Sequence, residues 1–233
     1  MNTKIVGLIA AIILAGGAVF FFVSGDEDTN TASTDSSEQE SNTNTSDGSN
    51  NLLDIDTAAL TGAYRLEISS TGGEDSLSGT FDVDGNGNVS TLITTNGQKS
   101  AYIYLDGVPY VQNPQDQSWI SYPSGSAAAP SFNVDDLALS DDDINEISSD
   151  TTIEELGEQP CVTGTCRVYR DVDAEENQTA VVKIDVATKR LVEVVVTDNT
   201  TNEVTTIVYS YPNDISIKAP EGAVEFNIPD TTQ

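Results

Sequence analysis

Residues 180–211 read AVVKIDVATKRLVEVVVTDNTTNEVTTIVYSY. Three runs rich in Val, Ile, Thr and Tyr, at Ala180–Val186, Leu191–Thr197 and Val204–Tyr211, are separated by short polar turns. Branched and aromatic side chains suit a pleated, half-buried surface, so each run is predicted to be a β-strand. Successive strands joined by short turns indicate an antiparallel meander.

The same alternation of apolar and polar residues recurs on both sides of this stretch. Asp106-Gly107, placed between two apolar runs, is a strong signal for a β-hairpin. The further strands predicted by this pattern include Tyr64–Ile68, Phe81–Val83, Ala101–Leu105, Val108–Val111, Ser118–Tyr122, Arg167–Arg170 and Ile215–Lys218.

Helical patterns are confined to the start and the middle of this region. Asn133–Ile147 carries apolar residues at a spacing of three to four, which predicts two short helices. Thr152–Leu156 begins with Thr152 followed three residues later by Glu155, the pattern of a capping box. Leu52–Leu60 is predicted to add one or two turns. The predicted fold class is therefore α+β, a large antiparallel sheet with a few short helices.

The N-terminal part differs in composition from the rest. Ile5–Val23 contains no charged residue, and the length of this segment is close to that needed to span a bilayer. Lys4 precedes it and Asp26 follows, so residues 1–24 are predicted to be a single-pass anchor with the C-terminal part outside the cytoplasm. A cleaved signal peptide is the alternative. Residues 25–51 are polar and lack aromatic residues, which predicts a disordered acidic tether ahead of one domain at 52–233.

Charge and composition restrict the classes of function. The chain has a formal net charge of −29 and no histidine. An acidic surface repels nucleic acid, so no nucleic-acid partner is expected. Without histidine, the Ser-His-Asp and Cys-His arrangements are impossible, and no phosphate-binding glycine loop occurs. We expect neither enzymatic activity nor a cofactor.

Two short motifs could carry chemistry. Cys161 and Cys166 are the two cysteines, and outside the cytoplasm such a pair is typical of a disulfide that closes a short loop or hairpin. Residues 81–90, FDVDGNGNVS, resemble the opening of a calcium loop. The twelfth position counted from Asp82 is Ile93, however, where such a loop needs an acid. A tight turn between strands is therefore favoured over a calcium site, and no metal site is expected.

Three stretches together resemble the LolA/LprG-type lipoprotein carriers, which are lipid-binding half-barrels. The first stretch runs from GTFDVDGNGNVSTLI through AYIYLDGVPYVQNPQDQSWISY. It resembles the family's series of strands that ends in a Tyr and Trp pair, here Tyr110 and Trp119. The other two are TIEELGEQPCVTGTCRVYR at 152–170 and VVKIDVATKRLVEVVVTDNTTNEVTTIVYSYPNDISIKAP at 181–220. The resemblance implies a sheet curved into a half-open barrel over short helices, with a hydrophobic cavity for acyl chains.

Together with the predicted N-terminal anchor, the resemblance implies an extracytoplasmic, membrane-anchored protein that binds lipid or lipoprotein acyl chains without catalysis. Such a cavity would be lined by apolar residues on the inward face of the sheet. The alternation of the strands selects Leu66, Ile68, Phe81, Val83, Ile103, Trp119, Ile184, Val194, Val196 and Ile207. The same residues would equally fill an ordinary core, which leaves a surface interaction or envelope-structural domain without a ligand as the alternative.

Overall fold

The computed structural model describes residues 55–56, 62–73, 76–126, 153–174 and 177–226. The predicted anchor, the tether and the helices at Asn133–Ile147 lie outside these residues, as does Leu52–Leu60 apart from Ile55 and Asp56. Within the described ranges, no helix has the length and apolar character needed to cross a bilayer.

Twelve β-strands make up the described part of the chain. They are β1 Tyr64–Thr71, β2 Leu77–Val83, β3 Val89–Thr95, β4 Gln98–Leu105, β5 Val108–Gln112, β6 Trp119–Ser121, β7 Glu154–Cys161, β8 Gly164–Asp173, β9 Gln178–Asp185, β10 Leu191–Asp198, β11 Val204–Ser210 and β12 Val224–Glu225.

All twelve strands belong to one sheet, in the order β12-β6-β5-β4-β3-β2-β1-β11-β10-β9-β8-β7. β1 lies in the middle of the sheet, and β2 to β6 follow it in sequence order toward one edge. β7 forms the opposite edge, and β8 to β11 follow it in sequence order back toward β1. β1 and β11 are antiparallel neighbours, and β12 is parallel to β6 at the far edge. The sheet is curved and does not close, as the predicted half-open barrel requires.

Two turns of two residues set the register in the first half of the sheet. Asn96 and Gly97 have φ values of 52° and 80°, and Asp106 and Gly107 have φ values of 51° and 82°. Positive φ at both central positions is the type I′ turn, whose twist matches that of an antiparallel strand pair. Thr95 therefore pairs directly with Gln98.

The register divides the side chains between two faces. We call the face that carries Leu66 and Ile68 the inner face, and the one that carries Arg65 and Glu67 the outer face. The larger of two buried clusters on the inner face of the described strands contains Leu66 at 0% exposure, and the smaller one contains Tyr102 and Val111. The other members of the larger cluster are Tyr64, Ile68, Phe81, Val83, Val89, Ile93, Tyr169, Ala180, Val182, Ile184, Leu191, Val194, Val196, Ile207 and Tyr209.

The three strands predicted within 180–211 are confirmed as β9, β10 and β11, and the hairpin at Asp106-Gly107 is confirmed. The helix predicted at Thr152–Leu156 is wrong, because Glu154–Cys161 is an edge strand. Arg170 forms an ion pair with Glu154 across this strand pair. A capping pattern over so few residues contributes little, since short helices are marginal without packing.

The strand predicted at Ile215–Lys218 is also wrong. Residues 215–220 lie in an irregular segment that follows β11, which ends at Ser210. Pro212 and Pro220 flank the segment and lack the N–H group that a sheet ladder needs. The last strand is instead Val224–Glu225, beside β6.

Candidate binding faces of the sheet

The inner face presents continuous cross-strand rows of apolar side chains. In one row, Val182 on β9 is opposite Val194, which is opposite Ile207. Ile207 pairs with Ile68, and the row continues through Gly79 to Ile93 on β3. At about 4.8 Å between strands, this row alone spans roughly 24 Å.

Eight of the ten side chains predicted to line a cavity belong to the larger inner-face cluster. They lie on β1, β2, β9, β10 and β11, and all are buried. The eight are Leu66, Ile68, Phe81, Val83, Ile184, Val194, Val196 and Ile207.

The other two, Ile103 and Trp119, lie on the outer face. Ile103 pairs with Ser90, which shares the outer face with Asp82. Trp119 pairs with Gln112. In β4, Tyr102 and Tyr104 are the inward residues, because Tyr102 is opposite Thr91 in the row that contains Phe81. The prediction that Ile103 and Trp119 face inward is therefore wrong, since a run that is apolar on both sides gives no alternation from which to choose.

Close packing surrounds the one inner-face position without a side chain. A Cβ atom added to Gly79 would lie 3.2 Å from Cγ2 of Ile68 and 3.3 Å from Cγ1 of Ile93. The two isoleucines thus close over the glycine, and this part of the inner face is filled by its own side chains.

The inner face carries phenol groups that stay neutral. Burial raises the pKa of Tyr209, and burial likewise raises the pKa of Tyr102. The hydroxyl of Tyr211 donates a hydrogen bond to the carbonyl oxygen of Leu191 at 2.9 Å, while burial raises its pKa. Because these phenol groups stay uncharged at physiological pH, their rings can contact apolar groups.

The acidic stretch at 81–90 forms a turn. Asp82 lies on the outer face, where its Oδ2 accepts a hydrogen bond from Nη2 of Arg65 at 2.9 Å. Asp84 lies in the turn between β2 and β3, and its Oδ1 accepts from the backbone N–H groups of Asn86 and Asn88. The two carboxylates are thus held by separate partners, and no group of three or more acidic, histidine or cysteine side chains within the described ranges could hold a metal ion.

The predicted disulfide between Cys161 and Cys166 is present, with their Cα atoms 5.8 Å apart. It closes the hairpin between β7 and β8. The Thr163 side chain at its tip hydrogen-bonds to Asp185, and the N–H of Val186 donates to the carbonyl oxygen of Thr165 at 3.0 Å. The hairpin is therefore fixed to the turn between β9 and β10.

No family model matches the sequence, and no curated protein matches it significantly. Several solved structures align with this chain at low sequence identity. An uncharacterized conserved protein from Thermus thermophilus aligns with a TM-score of 0.43 at 10% identity, over 76% of this chain and 96% of that one. The complex structure of MucA/MucB from Pseudomonas aeruginosa aligns with a TM-score of 0.38 at 11% identity, over 70% of this chain and 57% of that one.

A LolA superfamily protein from Nitrosomonas europaea aligns with a TM-score of 0.28 at 12% identity, over 70% of this chain and 92% of that one.

Proposed function

We propose that this chain is a non-catalytic, extracytoplasmic binding protein that takes acyl chains of lipid or lipoprotein against the inner face of its sheet. The observation that carries the proposal is the apolar row from Val182 through Val194, Ile207 and Ile68 to Ile93, in which Ile68 and Ile93 close over Gly79. Each methylene group moved from water onto such a surface gains about 0.8 kcal/mol. Binding of this kind needs no reacting group.

The sheet provides a mechanism for opening. Because it is unclosed, the edge strands β7 and β12 are not joined to each other. A change in the curvature of an open sheet separates side chains on the inner face without breaking a ladder of hydrogen bonds. An acyl chain would then lie between inner-face side chains that contact one another in the unliganded state.

The anchor at residues 1–24 and the tether at 25–51 complete the proposal. A flexible tether of this length has a root-mean-square reach of roughly 30 Å. The domain would therefore act close to the membrane that holds it, and would present lipid at that surface.

A second candidate is an interaction or envelope-structural domain with a filled core. The tight contacts of Ile68 and Ile93 around Gly79 favour it, because they leave no room at the centre of the row. In this case the inner face only stabilises the sheet, and partners bind elsewhere.

The two candidates are separated by native mass spectrometry of the full chain produced in bacteria. The acyl-chain proposal expects lipid to co-purify, and expects an environment-sensitive fatty-acid probe to brighten on binding. The matched variants are Val194→Phe on the inner face and Val195→Phe, which is the adjacent outer-face position. Only Val194→Phe fills inner-face space, so it alone should lower lipid occupancy.

Thermal unfolding shows whether both variants remain folded, because inserting bulk into a packed core typically costs 1–3 kcal/mol. If the folded wild-type chain carries no lipid and does not brighten the probe, the acyl-chain proposal fails and the filled-core domain stands.

A further inference from the structure

The outer face contains a depression that the acyl-chain proposal does not use. Its volume is about 350 Å3, and it crosses β11, β1, β2 and β3. We call it the outer depression and define it by the side chains of Glu67, Ser69, Ser78, Thr80, Leu92, Thr94 and Val208.

The strand register explains why the surface is hollow at this place. Ser69 is opposite Ser78, and Ser78 is opposite Thr94, which gives one row of short hydroxyl side chains. In the next row Glu67 is opposite Thr80, and Val208 and Leu92 lie at its two ends. The short hydroxyl side chains of the first row leave a shallow basin beside the bulkier second row, and the basin extends roughly 14 Å across the strands.

The lining selects the chemistry of a ligand. The four hydroxyl groups can each donate and accept hydrogen bonds, and Glu67 can only accept. None of the side chains of Ser69, Ser78, Thr80 and Thr94 is hydrogen-bonded to another group in the described part of the chain, so all four are open to a ligand.

Other ligand classes fit this lining poorly. No Lys or Arg is among the lining residues, and the chain carries a net charge of −29, which disfavours anions. A purely apolar ligand would leave the hydroxyls and the carboxylate desolvated without partners. A metal ion would find a single carboxylate where calcium takes six to eight oxygen ligands.

We propose that the outer depression binds a neutral saccharide of one or two rings. Sugar hydroxyls would exchange hydrogen bonds with Thr80, Thr94, Ser69 and Ser78 and donate to Glu67, while the C–H face of a ring would contact Leu92, which is 46% exposed. The volume lies at the lower end of the range for small-molecule sites, which suits a ligand of this size. This site is independent of acyl-chain binding, because it lies on the opposite face of the sheet.

The experiment is ligand-observed NMR and calorimetry on the full chain, kept in a detergent that carries no sugar headgroup. The probes are neutral disaccharides of glucose, mannose, galactose and N-acetylglucosamine. We expect at least one to bind with a Kd below about 1 mM. The double variant Thr80→Val/Thr94→Val removes two hydroxyls while keeping the shape and the strand preference of both residues. It should weaken binding at least about tenfold.

The matched control is Thr197→Val, which removes a hydroxyl from the outer face of β10, away from the depression. It should leave the affinity unchanged, and circular dichroism shows whether each variant is folded. The proposal is overturned if none of these disaccharides binds the folded wild-type chain in this range, or if the double variant binds as tightly as the wild type.

Discussion

The side chain of Asn88 joins two neighbouring turns by way of Asp84. Its Nδ2 donates a hydrogen bond to Oδ2 of Asp84 at 2.9 Å, and its Oδ1 accepts one from the backbone N–H of Asp106 at 2.8 Å. Asn88 is only 7% exposed, so both groups of its amide are satisfied within the protein. The turn after β2 is thereby connected to the turn after β4.

Replacing this amide should destabilise the sheet. Asn88→Ala removes the hydrogen bonds to Oδ2 of Asp84 and from the N–H of Asp106, and loss of such buried partners typically costs about 1–3 kcal/mol in the free energy of unfolding. Chemical denaturation followed by circular dichroism measures the loss. The control is Asn199→Ala in the exposed turn after β10, whose amide reaches only Thr179. An equal effect of the two substitutions would contradict the role given to Asn88.

Stability should fall in acid because of two carboxylates in turns. Burial raises the pKa of Asp84, but hydrogen bonds from Asn88 and from the N–H of Asn86 outweigh it, and the pKa lies below its usual value. Hydrogen bonds from Thr163 and Thr188 lower the pKa of Asp185 in the same way. A lowered folded-state pKa stabilises the protein above the unfolded-state value, near pH 3.9, and this stabilisation is lost as pH falls through the folded-state value.

The measurement is the free energy of unfolding between neutral pH and pH 2. Asp185→Asn removes the carboxyl group that titrates, so the variant should lose less stability than the wild type over the acid part of this range. Its stability at neutral pH should be lower, since an amide accepts hydrogen bonds less strongly than a carboxylate. An unchanged acid dependence would show that Asp185 does not contribute to it.

Opening the disulfide should cost a modest amount of stability. The loop between Cys161 and Cys166 is short, and closing it is worth roughly 2 kcal/mol in the chain-entropy model. Cys161→Ser/Cys166→Ser should therefore lower the thermal midpoint of the chain without changing its strand content. The reduced wild type is the comparison, and a shift seen in only one of the two would indicate an effect of the serines themselves.

The single tryptophan can test the proposal that acyl chains bind to the inner face. Trp119 lies on the outer face, whereas Tyr209 is a buried aromatic residue on the inner face. A brominated fatty acid quenches tryptophan emission only at short range. In the wild type the emission should change little, while in Trp119→Phe/Tyr209→Trp it should fall strongly. Strong quenching of Trp119 in the wild type would indicate that the lipid binds to the outer face, which would contradict the proposal.

Much of the sheet could be predicted from the sequence, and the reason is local. β9, β10 and β11 are separated by polar turns and carry branched residues throughout, so they required no information from elsewhere in the chain. The orientation of Ile103 could have been predicted, because Asn96-Gly97 is typical of a two-residue turn. Such a turn places Tyr102 on the same face as Val89 and Ile93, and Ile103 on the opposite face.

Other features depend on contacts that the sequence does not display. Glu154, Glu155 and Leu156 have good helix propensity, and only pairing with β8 makes them a strand. The outer depression arises because Ser69, Ser78 and Thr94 come into one row from three strands. No spacing along the chain predicts this row, since the register between strands decides it.

The position of β1 beside β11 has a consequence for biogenesis. The two meanders, β1–β6 and β7–β11, each contain only neighbouring strands and can nucleate early, but the seam that unites them joins the beginning of the domain to nearly its end. Such distant partners slow the search for the native state, because loop-closure entropy must be overcome first. During synthesis, the first meander would therefore keep an unpaired β1 edge until Val204–Ser210 has left the ribosome or translocon.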